Sequence, residues 1–422
     1  MDSYIFEAKQ QYPMTHNTPT FTPTKRILTV DALRGFALLG IMIVHMIEQY
    51  LGSGAPKEHQ NYAAHGGVDQ VFMAISGILL QGKFFAIFSF LFGLSFFLQM
   101  ETARRKAEPF IGRFVWRLLL LFAIGFIHSL FYAGDILSIY AMVGLGLVLF
   151  YRASNRTLLI FAGIFMCGVP RLILWAVRAA YDIPPMDWES LEPQNAWYFD
   201  TVKNGSLWEI FKANATRGFS MKLFFQFDTN SRGYMTFGLF LLGIWVGRTG
   251  FFERLEENRR LLIRMTWGSF IAIVIMAVGL AFMFSRIKDY NSLPAMIGMT
   301  LGDIGNYLIA VFEVSIFLLL CLGKQGPGMI GALAPYGKMA LTNYVMQSLI
   351  GTFIFFGWGL GQIGAWGASI NFGLAILLYI LQVQFCKWWL KKYQYGPLEW
   401  LWRSGTQLRW APLRRLETHA AM

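Results

Sequence analysis

Two histidines, a carboxylate and several cations lie inside segments that are otherwise apolar enough to cross a bilayer. His45 ends the run Phe36 to Val44 that follows Val30-Asp31-Ala32-Leu33-Arg34-Gly35, and His128 stands in Gly125-Phe126-Ile127-His128, shortly before Gly134-Asp135. An Asp, Lys or Arg at membrane depth costs roughly 2.5 to 3.5 kcal/mol on the gentlest scales, so a chain that keeps such groups there usually lines a polar cavity with them. Histidine is the side chain best suited to moving protons near neutral pH, and a neighbouring carboxylate orients its ring and stabilises its charged form. These residue types point to acid-base chemistry, with His128, His45 and Asp135 as candidate catalytic groups. A plainer reading stands beside it. Asp31 caps the first helix and pairs with Arg34 at i, i+3, and each histidine bonds a carbonyl between helices.

The elements that must position these residues follow from composition. The chain has 422 residues, 55% hydrophobic and only 14% charged, against about 25% charged in soluble domains. That predicts an all-α, polytopic membrane bundle. The net charge of +12 fits basic cytoplasmic loops and lipid headgroups, and no nucleic-acid partner is expected. Cys167, Cys321 and Cys386 lie in apolar segments without CxxC or CxxxH spacing, so they read as packing residues and no metal site is expected. No Walker A, GxGxxG or HExxH pattern occurs, which leaves nucleotide hydrolysis, dinucleotide redox and zincin chemistry unsupported.

Apolar runs bounded by charge or turn signals predict about ten transmembrane helices, near 27–50, 70–100, 113–132, 134–152, 157–180, 233–251, 261–285, 294–322, 330–358 and 365–390. The second run is too long for a simple span, and Gln81-Gly82-Lys83 interrupts it, so Val68 to Leu80 reads as a re-entrant or interfacial piece. The resulting division is a flexible cytoplasmic tail over 1–24, an N-terminal membrane half over 25–180, an external amphipathic lid over 181–232, a C-terminal membrane half over 233–395 and a cytoplasmic interfacial tail over 396–422. The tail 1–24 lacks the pattern of a cleavable signal peptide.

Lys and Arg in short loops set the orientation. Lys25 and Arg26, Arg104 to Lys106, Arg152 and Arg156, Arg254 to Arg260, Lys324 and the basic residues from Lys387 to Arg415 fall on one side of a ten-span chain. That side is the cytoplasm, and both termini are expected there. His45, about 18 residues into an outward-running helix that rises about 1.5 Å per residue, is expected in the outer half. His128, Asp135 and Lys83 are expected at similar depth, with Asp31 and Arg34 nearer the cytoplasmic mouth. Asn343 and Gln347, at i, i+4, form a polar stripe of the kind that glues helices together, and Asp303 and Glu313 add intramembrane acids.

Five blocks carry a family resemblance: Arg26-Ile-Leu-Thr-Val-Asp31-Ala-Leu-Arg34-Gly35; Gly82-Lys83-Phe-Phe-Ala-Ile-Phe-Ser-Phe-Leu-Phe-Gly93; Gly125-Phe-Ile-His128 with Gly134-Asp135-Ile-Leu137; Tyr336-Gly337-Lys338 through Thr342-Asn343-Tyr344 to Gln347-Ser348; and Tyr395-Gly396-Pro397-Leu-Glu399-Trp400-Leu-Trp402-Arg403. Together, from about residue 25 to 410, they resemble the bacterial YeiB family. That family is grouped with transmembrane acyltransferases related to lysosomal heparan-alpha-glucosaminide N-acetyltransferase, whose catalytic histidine cannot be matched to His59 or His65. The resemblance departs at His45, where the family pattern has Asn. The acyltransferase-3 family, with a similar Leu-Asp-x-Leu-Arg-Gly opening, places its catalytic histidine eleven residues after the arginine, the spacing from Arg34 to His45.

What the resemblance implies is acyl transfer in the bacterial inner membrane. The donor would be acetyl-CoA or another acyl-CoA, and the acceptor a sugar, amine or hydroxyl compound at the outer face. A histidine would act as base or acyl carrier, while Arg34, Lys83, Lys338 and Asn343 are the candidate donor-binding residues. Membrane lipids and a second copy of the chain complete the expected partners. The alternative from another class is a proton-coupled transporter or exporter of a small or lipidic molecule, using Asp303, Glu313, His45 and His128 as a relay. The absence of an internal repeat counts against it.

Overall fold

A computed structural model of the chain describes residues 27–51, 64–184 and 192–415. The tail 1–24, Lys25, Arg26, Lys57, His59 and the segment 416–422 lie outside the described residues. Among the described residues the fold is wholly helical, without a β-strand. The helices of the first half are α1 (Leu28–Ile47), α2 (Gly67–Ile75), α3 (Lys83–Arg105), α4 (Ile111–Phe131), α5 (Leu137–Leu145), α6 (Asn155–Met166) and α7 (Val169–Ala180). Three short ones follow, α8 (Glu192–Asn204), α9 (Leu207–Ala213) and α10 (Phe219–Phe227). The second half comprises α11 (Arg232–Thr249), α12 (Arg259–Phe284), α13 (Leu293–Cys321), α14 (Gly326–Lys338), α15 (Ala340–Phe355), α16 (Ala368–Lys392) and α17 (Pro397–Gln407).

Among the described residues six helical stretches are long and apolar enough to cross a bilayer, and α6 with α7, bent by 53°, is a seventh when the pair is taken as one broken span. The shorter apolar helices Leu137–Phe150 and Ala340–Phe355, with α11, run among them. Three expected spans are broken. The stretch 67–105 divides at Gly82, whose φ of +84° ends the first piece and starts α3 at Lys83. The run expected over 157–180 breaks at Gly168, just before Pro170 enters the first turn of α7. The run expected over 330–358 divides at Met339 into α14 and α15. Apolar composition measures thickness, not continuity, so the breaks at Gly168 and Met339 are invisible to it, whereas Gln81-Gly82-Lys83 already marks the one at Gly82.

Helix α1 is the hub, packing on α14, α16, α3, α15 and α13. Apolar surface gives little drive for association in lipid, so close backbone approach and polar contacts must hold the bundle. The crossing of α1 and α14 shows both. A Cβ on Gly337 would collide with the carbonyl of Asp31, and one on Gly35 would meet the carbonyl of Leu333. The stripe on α15 supplies the polar part. Asn343 Nδ2 donates to the carbonyl of Tyr336 at 2.8 Å, and Gln347 Nε2 donates to the Tyr336 hydroxyl at 2.5 Å. By contrast α12 packs chiefly on α13, and Trp267, Ile271, Ile275 and Val278 are exposed on it. An apolar helix with so little protein cover belongs against lipid.

One end of the bundle is closed by α17. Helix α15 has no side-chain cap of its own at Met339. Glu399 fills that place from α17, accepting from the amides of Leu341 at 2.7 Å and Thr342 at 3.1 Å and from the Thr342 hydroxyl at 2.5 Å. A carboxylate there satisfies orphan donors and complements the positive helix end. The reading of Cys167 as a packing residue is corrected, since it is exposed at the bend between α6 and α7, whereas Cys321 and Cys386 are buried.

Candidate active site

The centre is built at the turn between α4 and α5. A Cβ on Gly125 would strike the amide of Ser138, so the missing side chain lets the two helices approach closely one turn before His128. Asp135 then accepts from the amides of Leu137 at 3.1 Å and Ser138 at 2.9 Å, from the Ser138 hydroxyl at 2.8 Å, and from His128 Nδ1 at 2.7 Å. Both carboxylate oxygens thus face donors, the environment of an ionised group. Because that carboxylate accepts, Nδ1 of neutral His128 carries the proton and Nε2 keeps its lone pair. His128 Nε2 is buried with no hydrogen-bond partner among the described residues. It is the atom a general base needs.

His45 shares this space. Its Nδ1 is likewise buried without a partner among the described residues. Two tyrosines bridge the imidazoles. Tyr132 has its ring centroid 5.2 Å from His45 and 6.3 Å from His128, and Tyr344 lies 5.3 Å from His128 and 6.5 Å from His45. Tyr50 closes the far wall at 5.4 Å from His45. It arrives there through two consecutive left-handed residues, Gln49 (φ +48°) and Tyr50 (φ +60°), a conformation that costs a non-glycine residue roughly 1 to 2 kcal/mol. Gln49 offsets that cost by bonding the carbonyl of Trp366 at 3.0 Å and the amide of Gly364 at 2.7 Å.

Two participants escape sequence reasoning. Lys222 on α10 is buried, donates to the Ser138 hydroxyl at 3.0 Å and stands 3.9 Å from Asp135. The chain Lys222 to Ser138 to Asp135 to His128 therefore joins α10 to the centre. No motif marks Lys222, because only docking of α10 brings it there. Tyr344 is the second, and its position inside the fourth motif block was the one available signal.

A cavity of about 970 Å³ approaches from the face where α1 begins. Its wall carries the charged Asp31, Arg34, Arg117, Arg254, Lys338 and Arg403 together with Leu137, Tyr140 and Tyr344. Tyr344 thus lines the cavity and flanks His128. Arg34 is tied to Asp31 at 2.7 Å and to Ser95 Oγ at 2.8 Å. Of the other candidate donor-binding residues, Lys338 is on the cavity wall and the remaining two are not. Asn343 is buried between helices, where it also bonds Cys386 Sγ at 3.2 Å. Lys83 donates to the carbonyl of Gly77 at 2.7 Å and feels the charges of Glu313 and Arg232. Asp303 is held by Arg171 at 2.7 Å, with Arg232 at 3.8 Å. No group of three or more potential metal ligands occurs among the described residues.

Helices that cross a bilayer around a buried two-histidine centre define a polytopic membrane protein. Residues 246–409 match a family described as a protein of unknown function, DUF418. The chain is 29% identical to the uncharacterized protein YxaH of Bacillus subtilis, over 95% of this chain and 99% of that one. It is 27% identical to an uncharacterized 39.9 kDa protein in the amylase 3′ region of Bacillus acidopullulyticus, over 92% and 96%. To the uncharacterized protein YeiB of Escherichia coli it is 25% identical, over 90% and 96%. The chain is thus similar, over nearly its whole length, to YeiB and its uncharacterized relatives.

Proposed function

We propose that the protein is a membrane-embedded acyltransferase, taking an acyl group, in the simplest case acetyl, from acyl-CoA to a hydroxyl or amine acceptor. The observation that carries this reading is Tyr344, which belongs at once to the cavity wall and to the two-histidine centre. A thioester reaching Tyr344 stands beside a buried base held in one tautomer by a carboxylate. His128 Nε2 takes the proton of the acceptor as its oxygen or nitrogen attacks the thioester carbonyl. The C–S bond then breaks, and the thiolate leaves with the proton returned by His128. The Tyr344 hydroxyl accepts from the Ile136 amide at 3.2 Å, which leaves its own proton to donate to the developing oxyanion. His45 positions the acceptor from the other side of the same tyrosines. With the basic loops in the cytoplasm, the cavity opens to cytosolic acyl-CoA and the acceptor arrives at the outer face of the bacterial inner membrane.

Purified protein in nanodiscs, given radiolabelled acetyl-CoA and cell-envelope extract, should consume thioester and label an acceptor, and His128→Ala should not. Absence of consumption with the wild type defeats the reading. A proton-coupled transporter is the second reading, favoured by Glu313, whose buried Oε2 has no hydrogen-bond partner among the described residues. It predicts proton-driven flux with no loss of thioester.

A further inference from the structure

We propose that the cavity wall carries a binding site for a phosphate-bearing group, held between Arg117 and Arg403. Both line the cavity. Each lies over an aromatic ring, Arg117 with its guanidinium carbon 3.5 Å from the Trp402 centroid and Arg403 5.0 Å from that of Tyr395. A guanidinium held by a ring face keeps N–H groups for a ligand, and Arg suits bidentate phosphate binding. The two charges are close enough to act on one another, and neither side chain forms an ion pair among the described residues.

Two acids on the same wall are already engaged. Asp31 pairs with Arg34, and Glu399 accepts from the start of α15. Glu253 is also there, next to Arg254. Arg117 and Arg403 are thus neighbouring like charges, neither in an ion pair among the described residues, on the cavity wall, an arrangement that an anion stabilises. Their supports are built in. The Trp402 indole donates to the carbonyl of Arg117 at 2.9 Å, so α4 and α17 fix the pair together. Phosphate chemistry is shared by a nucleotide and by an anionic lipid headgroup. On the acyl-transfer reading, on which this choice rests, the group is the adenosine bisphosphate end of the donor.

The test is binding, without turnover. Wild-type protein in phosphatidylcholine nanodiscs should bind coenzyme A and adenosine 3′,5′-bisphosphate, with affinity that falls as salt rises, and should bind pantetheine far more weakly. Arg403→Gln and Arg117→Ala should each weaken bisphosphate binding about tenfold to hundredfold, the usual range for a lost charged hydrogen-bond pair. Arg117→Lys, which keeps charge and bulk against Trp402, should retain part of it and guards against misfolding. Competition by phosphatidylglycerol without nucleotide binding, lost in the same variants, keeps the phosphate site and assigns the headgroup as its occupant. Equal binding of pantetheine and coenzyme A, or unchanged affinity in Arg403→Gln and Arg117→Lys, overturns the proposal. Bisphosphate binding without thioester consumption keeps this site and defeats the acyltransferase; consumption without bisphosphate binding does the reverse.

Discussion

At the scale of residues, the pairing of His128 with Asp135 separates the two histidines. If His128 is the base, His128→Ala should lower turnover by about 10² to 10⁴ while leaving coenzyme A affinity nearly intact. His45→Ala, which removes a positioning contact, should lose less and show it in KM for the acceptor. Asp135→Asn should fall between them, because the amide preserves shape but no longer fixes the tautomer. Near-normal transfer in all three would make the cluster structural. A second residue-scale expectation concerns Asp228, in the loop before α11. Burial pushes its carboxyl up, but Arg178, at 2.5 Å and 3.1 Å, and Thr229 outweigh burial and hold it below the ordinary carboxylate value. The stabilisation is therefore complete above the unfolded value of about 3.9 and fades as pH falls through the lower folded value. Thermal unfolding in detergent between pH 6 and 3 should show a shallower acid limb for Asp228→Asn than for the wild type.

Single helices in this protein depend on partners distant in sequence. Helix α15 takes its N-terminal cap from Glu399, and that cap also ties down the Gly396-Pro397-Leu398 turn through the Leu398 amide, which donates to Thr342 Oγ1 at 3.1 Å. Glu399→Ala should cost about 1 kcal/mol or more, as loss of a helix cap does, and should loosen α17. Greater proteolysis near Gln407 with an otherwise intact bundle would show it; unchanged protection would contradict the capping role. The α1 and α14 crossing makes the opposite demand, for absence of volume. Gly337→Ala forces a methyl against the Asp31 carbonyl, and overpacking of that kind should destabilise by about 1 to 3 kcal/mol. A melting temperature equal to that of the wild type would show that the helices slide apart freely.

Across the whole molecule, the cavity and the two-histidine centre meet at Tyr344, and orientation decides which side of the membrane the cavity serves. Basic residues gather at the end where α1 begins and α17 docks. That distribution predicts a cavity open to the cytoplasm. Reporter fusions at Thr418 and near Asn204 should give opposite compartment readouts, and matching readouts would reverse or abolish the proposed route from donor to acceptor.

Sequence by itself determined the class of molecule and much of its centre. Sparse charge and long apolar runs leave only helices that satisfy their own backbone in lipid. The spacing from His128 to Asp135 was enough to mark a pair, because a seven-residue turn between adjacent helices keeps its two ends in contact. Counting rise along α1 set His45 level with His128, and the two flank the same tyrosines. What the tertiary structure alone decided were contacts between elements far apart in the chain. Lys222 reaches Asp135 across 87 positions and Tyr344 reaches His128 across 216, separations that no local period encodes. Lys83, although counted to a similar depth, bonds the Gly77 carbonyl instead, because depth fixes height along the membrane normal but leaves rotation about each helix axis free. That rotation is set by packing, through close approaches such as those at Gly35, Gly125 and Gly337.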